Sequence, residues 1–565
     1  MVRPTMPQAR EMLRRYFGYA DFRTLQVPAV EAVLSRRDAV IVLPTGGGKS
    51  ICFQVPALCF DRLTVVISPL ISLMADQVQA LERRGIAATY LNSTLSPDES
   101  NARIERLRRR DIRLLYVAPE RLTVGNTASL LAAAGVDLFA IDEAHCVSEW
   151  GQDFRPSYLQ LAAVRRRIGD PQTVALTATA TPRVRRDVAR LLELRTPTIV
   201  VGGFDRPNLT FRVQVVASDP ERNQEMVRHL RTAKDPVVVY AATRRQVEHA
   251  TRIISSGGVR AVSYHAGLSP ERRARAQEDF MHDTTQVIVA TNAFGMGIDK
   301  PNVRLVLHYL HSGSLEDYYQ EAGRAGRDGA ASTCVLLFNA ADRRVHDQMR
   351  EHGRVPGNQL RAVWQFLAQL SNGRRPVPLD AGLIASRLGS PASRESVATA
   401  LQILQDRGAI SGISAPDGVR VRLLASSLRL ECERVSLSLE ARRILSLLDD
   451  ALGDEVPWQS ISIRTSGLST HRFACALDEL ESRQLVFADR SPPRAIVSNE
   501  SRSRTQLERL ILQLKTRQEV ERVKLASMVG YATALMCRRT YILDYFGDGT
   551  SKAACGQCDV CAPVK

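Results

Sequence analysis

Short apolar runs alternate with amphipathic segments through residues 38–345. Residues 39–43, 136–141, 236–241 and 286–290 are runs of this kind, and each leads into polar or glycine-rich residues. Runs rich in Val, Ile and Leu are typical of parallel strands that are buried on both faces. Their alternation with helical patterns predicts an α/β architecture, in which ligands gather at the carboxyl ends of the strands.

The apolar pattern changes after residues 351–357, a turn-rich segment that predicts a linker. A helical pattern at 397–404 recurs after an offset of 76 residues (473 − 397). The aligned pairs are Val397 with Phe473, Ala398 with Ala474, Ala400 with Ala476, Leu401 with Leu477, Leu404 with Leu480, Arg407 with Arg483, and Ile410 with Val486. A turn and a short strand follow each copy. We expect two α+β winged-helix-like domains with β-hairpins, at about 357–425 and 438–498; whether either one binds or separates DNA strands stays open.

The last 65 residues combine a helical pattern with a group of cysteines. Apolar residues fall on one side of an expected amphipathic helix over residues 501–530. The cysteines that follow it are Cys537, Cys555, Cys558 and Cys561. Their spacing, C-x17-C-x2-C-x2-C, suits four thiolates around one tetrahedral Zn²⁺. Disulfides are the alternative, although they are rare in cytosolic proteins. We expect a small helical zinc-binding module at 501–565 with a structural metal site.

The amino-acid composition indicates which class of molecule the protein binds. The 565 residues include 76 Lys and Arg against 60 Asp and Glu, which gives a net charge of +16 and a pI near 9.7. This balance favours a polyanion, and nucleic acid first of all. The longest apolar stretch, Leu130 to Ile141, contains Gly135 and Asp137 and is too short to span a membrane. No signal-peptide core is recognisable at the arginine-rich amino terminus. We therefore expect a cytoplasmic protein, associated with the nucleoid if it is bacterial, with no membrane partner.

The run from Asp38 to Ser50 predicts a phosphate-binding loop after a strand. Its turn residues are Thr45, Gly46, Gly47, Gly48, Lys49 and Ser50. Glycines allow backbone N–H groups to surround phosphate oxygens, Lys49 would reach the outer phosphates, and the Ser50 hydroxyl would ligate Mg²⁺. Leu43 stands where the general pattern has its first glycine. The alternative is a glycine-rich turn without a ligand.

A second strand delivers Asp142, Glu143, Ala144 and His145 at its carboxyl end. Next to a phosphate loop, such a pair of carboxylates is typical of a nucleoside triphosphatase. Asp142 would hold the Mg²⁺ shell and Glu143 would act as the general base for water. A solvated acidic loop is the alternative.

An aromatic and polar stretch follows at 146–158. Trp150, Phe154 and Tyr158 offer flat faces for stacking on bases, and Arg155 supplies a cation for phosphate or base. The stretch is too polar for a core strand, so we interpret it as a loop that contacts nucleic acid.

These motifs together resemble the RecQ family of superfamily 2 helicases over residues 10–345. Further similar segments are 17–26, 68–77, 117–121, 176–179, 203–208 and 320–329. The resemblance implies two tandem RecA-like domains, at 1–203 and 204–350. It also implies that Tyr19 and Arg23 sandwich an adenine and that Gln26 bonds its edge. The aromatic loop is expected to sense single-stranded DNA.

The resemblance also implies functional roles for further residues of this chain. Expected catalytic residues besides Lys49, Asp142 and Glu143 are His145, Gln320, Arg324 and Arg327. Expected DNA-contacting and coupling residues are Trp150, Phe154, Arg155, Thr177, Thr179 and Thr291. Arg324 and Arg327 lie three residues apart, so both would point across the cleft to a γ-phosphate if their segment were helical.

The function that the resemblance implies is a 3′ to 5′ DNA helicase, acting in repair, recombination or replication. Its cofactors would be ATP, Mg²⁺ and Zn²⁺. Its partners would be single-stranded and forked DNA, with single-strand-binding or repair proteins as further candidates. Two alternatives stay open: a DNA-stimulated ATPase or scaffold that does not unwind processively, and an RNA-directed ATPase. The zinc module closes the chain, whereas in the best-known relatives a winged helix follows it.

Overall fold

The structure is a computed structural model. It describes residues 4–44, 46–92, 94–122, 126–294, 300–352, 355–371, 377–390, 392–406, 409–412, 418–424, 437–448, 459–462, 470–489, 494–497, 501–549 and 554–563. Two compact units divide the chain. The first contains residues 1–346 and 519–565, and the second contains residues 347–518. Among the described residues, no helix has both the length and the apolar character needed to cross a membrane.

The first unit begins with an α/β domain around one sheet. Its strands are β1 (Ala39–Val42), β2 (Leu63–Ile67), β3 (Ala88–Leu91), β4 (Leu114–Val117), β5 (Val136–Ile141), β6 (Gln172–Thr177) and β7 (Thr198–Val201). Its helices are α1 (Met6–Met12), α2 (Gln26–Leu34), α3 (Ile51–Cys59), α4 (Ile71–Glu82), α5 (Pro97–Arg108), α6 (Thr127–Ala134), α7 (Leu161–Arg167) and α8 (Pro182–Leu191). All strand pairs are parallel, in the order β3-β4-β2-β5-β6-β1-β7.

A second parallel sheet follows. Its strands are β8 (Leu209–Val215), β9 (Val237–Tyr240), β10 (Ala261–Tyr264), β11 (Val287–Ala290), β12 (Leu305–His308) and β13 (Ser332–Phe338). Its helices are α9 (Asp219–Thr232), α10 (Arg244–Ser256), α11 (Pro270–Met281), α12 (Leu315–Ala322) and α13 (Arg343–His352). The strand order is β10-β11-β9-β12-β13-β8. The expectation of two tandem parallel-sheet domains is therefore confirmed, and residues 202–208 connect the sheets.

Burial explains why these runs form strands. The residues of β1, β9 and β11 are buried throughout, which leaves their Val and Ile side chains no exposed face. In the first sheet β1 lies beside β6, and β6 lies beside β5. Because the strands are parallel, the residues that follow β1, β5 and β6 meet at one edge of the sheet. The phosphate loop and the acidic tetrapeptide both begin at this edge.

The second unit contains two small antiparallel sheets. Its strands are β14 (Val377–Pro378), β15 (Ser411–Gly412), β16 (Gly418–Leu423), β17 (Gln459–Ser462), β18 (Val486–Asp489) and β19 (Arg494–Ile496). Its helices are α14 (Gly357–Ser371), α15 (Ala381–Leu388), α16 (Arg394–Asp406), α17 (Leu439–Ser446) and α18 (Thr470–Ser482). The repeated positions Val397, Leu404, Phe473 and Leu480 are buried on α16 and α18. Arg407, residues 415–417 of the first predicted turn (415–418) and the second predicted turn (490–493) lie outside the described residues.

The predicted β-hairpins are wrong for the described strands. β15 and β16, expected to pair with each other, lie in different sheets, as do β18 and β19. Instead β19 pairs with β14 and β15, whereas β16 pairs with β17 and β18. The two repeats thus exchange strands. Short strands with little apolar pattern specify their partners weakly, so sequence proximity favoured the wrong pairing.

The C-terminal helices are α19 (Ser501–Thr533) and α20 (Arg538–Phe546). Within the first unit, Met528, Tyr531, Ile542 and Phe546 join the same apolar cluster as the two sheets. Residues 501–518 belong to the second unit, so the division at 518/519 falls inside the segment expected as a module at 501–565.

Candidate functional site

The phosphate loop has the backbone that its glycines predict. Gly46 and Gly48 have φ angles of 81° and 74°, in the left-handed region that favours glycine. Lys49 Nζ donates a hydrogen bond to Leu43 O at 3.2 Å, so the ammonium lies across the start of the loop. Ser50 immediately precedes α3, where the positive end of the helix dipole favours an anion. Thr45 lies outside the described residues.

Side chains from α2 and the turn before it hold this loop. Gln26 Nε2 donates to Gly47 O at 3.3 Å and to Gly48 O at 3.1 Å. Arg23 Nη1 donates to Gly46 O at 2.6 Å, and Arg23 N donates to Gln26 Oε1 at 2.9 Å. A Cβ atom at Gly48 would lie 2.3 Å from Gln26 Nε2, so the contact requires glycine there. In this structure Gln26 therefore shapes the phosphate loop, and Tyr19 is 54% exposed and accessible to a ring ligand.

The acidic tetrapeptide turns sharply after β5. Asp142 N donates to Ile67 O at 2.8 Å, which extends the pairing of β5 with β2. Glu143 has a φ of 47°, an unusual value for a residue with a side chain and one that marks stored backbone strain. Tyr158, which we expected to offer a stacking face, is fully buried, and its hydroxyl donates to Asp142 O at 3.0 Å. That stacking expectation is wrong, because Tyr158 supports the turn from the core.

The electrostatics of the pair fit a cation site. Burial and the neighbouring Glu143 carboxylate raise the pKa of Asp142, while Lys49 opposes the rise. Burial likewise raises the pKa of Glu143. Glu143 Oε2 is buried without a hydrogen-bond partner among the described residues. Buried carboxylate oxygens of this kind favour a bound cation or an activated water, since an unpaired buried acceptor is otherwise unfavourable.

A chain of hydrogen bonds runs from this site to the second sheet. His145 Nδ1 lies 2.7 Å from Thr177 Oγ1 and 3.3 Å from Glu143 Oε2. The Thr177 hydroxyl lies between the His145 ring and Thr179 O, to which it donates at 3.2 Å. Burial lowers the pKa of His145 to about 4, which keeps the ring neutral near pH 7.

Gln152 continues this chain across the cleft. Thr179 Oγ1 donates to Gln152 Oε1 at 3.0 Å. Gln152 Nε2 then donates to Gln320 Oε1 at 2.6 Å and to Asp317 Oδ1 at 2.8 Å, both on α12. His145, the segment after β6, the aromatic loop and the second sheet are thus joined through consecutive hydrogen bonds.

A cavity of about 360 Å³ adjoins the phosphate loop. Its lining residues are Arg23, Thr24, Leu25, Leu43, Pro44, Gly46, Gly47, Gly203, Arg206, Asn208, Gly326, Arg327 and Gly329. Residues of both sheet domains therefore face one space, which is of a size that suits a nucleotide.

The two expected arginine fingers differ in position. α12 ends at Ala322, so the helical condition for a shared face is not met. Arg327 lines the cavity, whereas Arg324 is buried beside the Tyr240 hydroxyl, whose titration it influences. Gly326, which lies between the two arginines, has a φ of 54° in the left-handed region, so the backbone that joins them is not helical.

The connector between the sheets fixes the loop that carries Arg327. Arg206 Nη2 donates to Ala325 O at 3.0 Å and to Gly326 O at 2.9 Å. Asn208 Nδ2 donates to Gly326 O at 2.8 Å. A side chain at Gly326 would collide with Asn208, since the Cβ would lie 2.5 Å from Asn208 Nδ2. The arginine loop and the connector are therefore one hydrogen-bonded assembly.

The aromatic loop keeps its polar side chains paired. The guanidinium carbon of Arg183 lies 3.4 Å from the centre of the Trp150 ring system, a cation–π contact that covers one face. Arg155 Nε donates to Asp153 Oδ2 at 2.9 Å, and Arg155 Nη1 donates to Pro69 O at 3.1 Å. Phe154 is partly exposed. Trp150, Phe154 and Arg155 thus belong to one loop that directly follows the acidic tetrapeptide.

Thr291 follows β11 in the second sheet. Its side chain is buried, and its Oγ1 accepts a bond from Ala293 N at 3.4 Å. The five residues 295–299 lie outside the described residues. Its expected role in DNA contact stays a prediction.

The four C-terminal cysteines meet in one cluster. Their Sγ atoms all lie within 4.8 Å of one another, and Cys558 Sγ is 4.0 Å from Cys537 Sγ. Four sulfurs at about 2.3 Å from a tetrahedral Zn²⁺ would be about 3.8 Å apart, so the cluster fits the ion. Backbone N–H groups of Cys558 and Cys561 donate to Cys555 Sγ at 3.3 Å and Cys558 Sγ at 3.4 Å, which suits thiolates. These cysteines are not joined by disulfides.

The sequence patterns do not indicate three residues that contact the predicted site residues or their loop, namely Gln152, Asp317 and Lys524. Burial raises the pKa of Asp317 to about 6, with Glu321 adding to the rise. No local signal identifies these residues, because each acquires its role from a partner far away in the chain.

Comparison with protein families assigns three segments. Residues 23–188 match the DEAD/DEAH box helicase family, residues 221–329 match the helicase conserved C-terminal domain, and residues 501–562 match the RecQ zinc-binding family. The first two segments correspond to the two sheets, and the third corresponds to the cysteine cluster and its helices.

Several curated proteins are similar over the motor region. An ATP-dependent DNA helicase RecQ of Bacillus subtilis is 46% identical over 365 residues, 64% of this chain and 61% of that protein. A probable ATP-dependent DNA helicase RecS of the same organism is 39% identical, over 64% of this chain and 73% of that protein. The RecQ helicases of Bacillus subtilis, Haemophilus influenzae and Pasteurella multocida are matched over 61%, 54% and 57% of their own lengths.

Among solved structures, the DUF1998 helicase MrfA bound to DNA is similar with a TM-score of 0.50. The two chains are 20% identical, over 72% of this chain and 62% of that chain. At this identity the likeness concerns the fold alone.

Proposed function

Because the chain belongs to the RecQ family of ATP-dependent DNA helicases, we propose that it couples ATP hydrolysis to 3′ to 5′ translocation on single-stranded DNA and to duplex unwinding. The observation that carries this proposal is the hydrogen-bond chain from His145 through Thr177 and Thr179 to Gln152 and α12. It begins beside the Glu143 carboxylate, whose Oε2 lies 3.3 Å from His145 Nδ1, and it reaches the aromatic loop and the second sheet. A motor needs such a link, because hydrolysis must respond to both DNA contact and closure of the cleft.

The chemistry assigned to the site follows from its geometry. Lys49 and the N–H groups before α3 would neutralise the outer phosphates of ATP. Asp142 and Ser50 would hold Mg²⁺, which when bound supplies further positive charge to the phosphates. Glu143, with its unpaired buried oxygen, would orient and deprotonate the attacking water. Arg327 faces the same cavity from the second domain, where it would stabilise charge on the transferred phosphate.

Contacts with nucleic acid are assigned to the aromatic loop and to the positive charge of the chain. A base that stacks on Trp150 would compete with the Arg183 guanidinium for the ring face. If DNA displaced the loop, His145 would move as well, because the backbone of Gly151 is packed against the carbonyl oxygen of His145. We also propose the domain boundaries that the sequence predicts. They are 1–203 and 204–350 for the two RecA-like domains, 357–425 and 438–498 for the winged-helix-like domains, and 501–565 for the zinc module.

A strand-displacement assay tests the function. Matched forks of DNA and of RNA, each with a single 3′ or 5′ tail, are incubated with protein, ATP and Mg²⁺, and Lys49→Ala serves as the inactive control. The expected result is ATP-dependent displacement of the DNA fork with the 3′ tail. Preference for RNA would favour an RNA-directed ATPase. Stimulated ATP hydrolysis without displacement of any fork would favour a remodelling ATPase or scaffold.

A further inference from the structure

One lysine of the zinc module reaches into the motor. Lys524 lies on α19 in the first unit, and its side chain is only 9% exposed. Its Nζ donates a hydrogen bond to the carbonyl oxygen of Gly151, in the aromatic loop. A buried ammonium group is costly unless it is hydrogen-bonded or paired, so its burial at this carbonyl indicates a specific contact.

The loop has no spare room at the point of contact. A Cβ atom at Gly151 would lie 1.9 Å from His145 O and 2.9 Å from Ser148 O. The backbone of Gly151 is thus pressed against the acidic tetrapeptide on one side and bonded to Lys524 on the other. Trp150, the adjacent residue, contacts the Arg183 guanidinium. A shift of Trp150 toward a base must therefore move the Gly151 carbonyl.

The charge of Lys524 also acts on the catalytic side of the loop. Burial is the main cause that lowers the pKa of His145, and the Lys524 ammonium is close enough to lower it further. His145 is hydrogen-bonded to Thr177 and lies beside Glu143, so the lysine influences the beginning of the hydrogen-bond chain. The ammonium thus lies where the DNA-facing and ATP-facing parts of the loop meet.

The zinc module is anchored to the motor without Lys524. Phe546 stacks on Phe204 of the connector, with ring centres 4.6 Å apart and planes 6° apart. Asp548 Oδ2 accepts a bond from Phe204 N at 3.1 Å, and the hydroxyls of Tyr531 and Tyr318 lie 3.2 Å apart. Loss of one ammonium group should leave these contacts, and the zinc cluster, in place.

We propose that Lys524 is a positioning residue that holds the Gly151 carbonyl, and with it the aromatic loop, in the geometry from which DNA binding is transmitted to ATP hydrolysis. The zinc module thereby takes part in coupling as well as in stability. This inference rests on the proposed DNA-stimulated ATPase activity.

The test compares three variants of the full chain. Lys524→Met removes the ammonium but keeps an unbranched side chain, Lys524→Arg keeps a cation and donors, and Lys515→Met removes an exposed charge from the same helix. Basal ATP turnover, turnover at saturating single-stranded DNA, the DNA concentration for half-stimulation, zinc content and melting temperature are measured for each. Wild-type stimulation by DNA tests the DNA-stimulated ATPase activity, on which this proposal rests, separately from the variants.

Lys524→Met is expected to lose about tenfold of its stimulation at saturating DNA, with basal turnover, zinc content and half-stimulating DNA concentration close to wild type. Lys524→Arg should regain most of the stimulation, and Lys515→Met should retain it. The proposal is wrong if Lys524→Met is stimulated like wild type or if Lys515→Met loses as much. It is equally wrong if the loss appears only with lost zinc, a lower melting temperature or weaker DNA binding.

Discussion

Gln152 offers the sharpest test of the hydrogen-bond chain, because its single amide connects three partners. It accepts a bond from Thr179 and donates to Asp317 and Gln320. Gln152→Ala removes all three bonds while leaving the aromatic side chains of the loop unchanged. We expect basal ATP turnover to be largely kept and DNA-stimulated turnover to fall strongly.

The size of the fall follows from the bonds that are lost. Two neutral hydrogen bonds contribute about 1 kcal/mol each and the bond to the Asp317 carboxylate contributes about 2 kcal/mol, so the upper limit is about 4 kcal/mol. Water that enters the space left by the side chain would form some of these hydrogen bonds again and so reduce the loss of free energy. A loss of about 2 to 3 kcal/mol corresponds to a decrease of roughly 30- to 150-fold in stimulated turnover.

The assay is steady-state ATP turnover as a function of single-stranded DNA concentration. Gln160→Ala is the matched control, since Gln160 is an exposed glutamine in the same region. Turnover at saturating DNA should drop for Gln152→Ala alone, with little change in the DNA concentration for half-stimulation. An effect below about threefold, or an equal effect in Gln160→Ala, would refute the idea that this chain carries the coupling.

The same contact predicts a dependence on pH. The pKa of Asp317 is raised to about 6, mainly by burial, so its carboxylate is charged above pH 6 and becomes neutral as the pH falls. Protonation weakens the bond from Gln152 by about 1 kcal/mol, so the ratio of wild-type to Gln152→Ala turnover should shrink up to about fivefold between about pH 7.5 and 5.5. A ratio that stays constant with pH would show that the Asp317 charge does not contribute.

Three further predictions concern the other parts of the site. Lys49→Ala should weaken nucleotide binding, whereas Glu143→Gln should bind nucleotide normally but lose at least about 100-fold in turnover; nucleotide titration separates them, and equal loss of binding would contradict the assigned roles. Replacing Cys558 and Cys561 with serine should reduce zinc from one ion per chain to near none and lower the melting temperature, and metal analysis that finds zinc retained would overturn the site. Trp150→Ala should keep DNA binding within about 1–3 kcal/mol of wild type but lose most stimulated hydrolysis, and an unchanged stimulation factor would make Trp150 a packing residue.

The parts of the site that are contiguous in sequence could be predicted from it. The phosphate loop, the acidic pair and the cysteine cluster each depend on residues that are close in the chain, so spacing alone indicates the chemistry. The two parallel sheets follow from apolar runs that are buried on both faces. In these cases local sequence and tertiary environment favour the same structure.

What could not be predicted depends on contacts between distant segments. Lys524 and Gly151 are 373 residues apart, and Gln152 and Gln320 are 168 apart. Tyr158 looked like a stacking residue because its neighbours are polar, but its own ring is buried. Arg324 looked equivalent to Arg327 only under the assumption of a helix, which ends before either residue. The wrong hairpins in the second unit have the same origin, since short strands do not identify their partners.

The exchange of strands in the second unit determines which segments of it can fold when they are transferred to another protein, by evolution or by engineering. A fragment that ends near residue 425 would lack β19, the strand that pairs with both β14 and β15, and one that begins near residue 438 would lack β16, the centre of the other sheet. Neither repeat can therefore be transplanted alone, and separately expressed halves should fold only when they find each other. Recombination or gene fusion would have to transfer the whole second unit, residues 347–518, as one piece, because Leu507, Leu510 and Ile511 of α19 lie in the same apolar cluster as α14, α15 and α16.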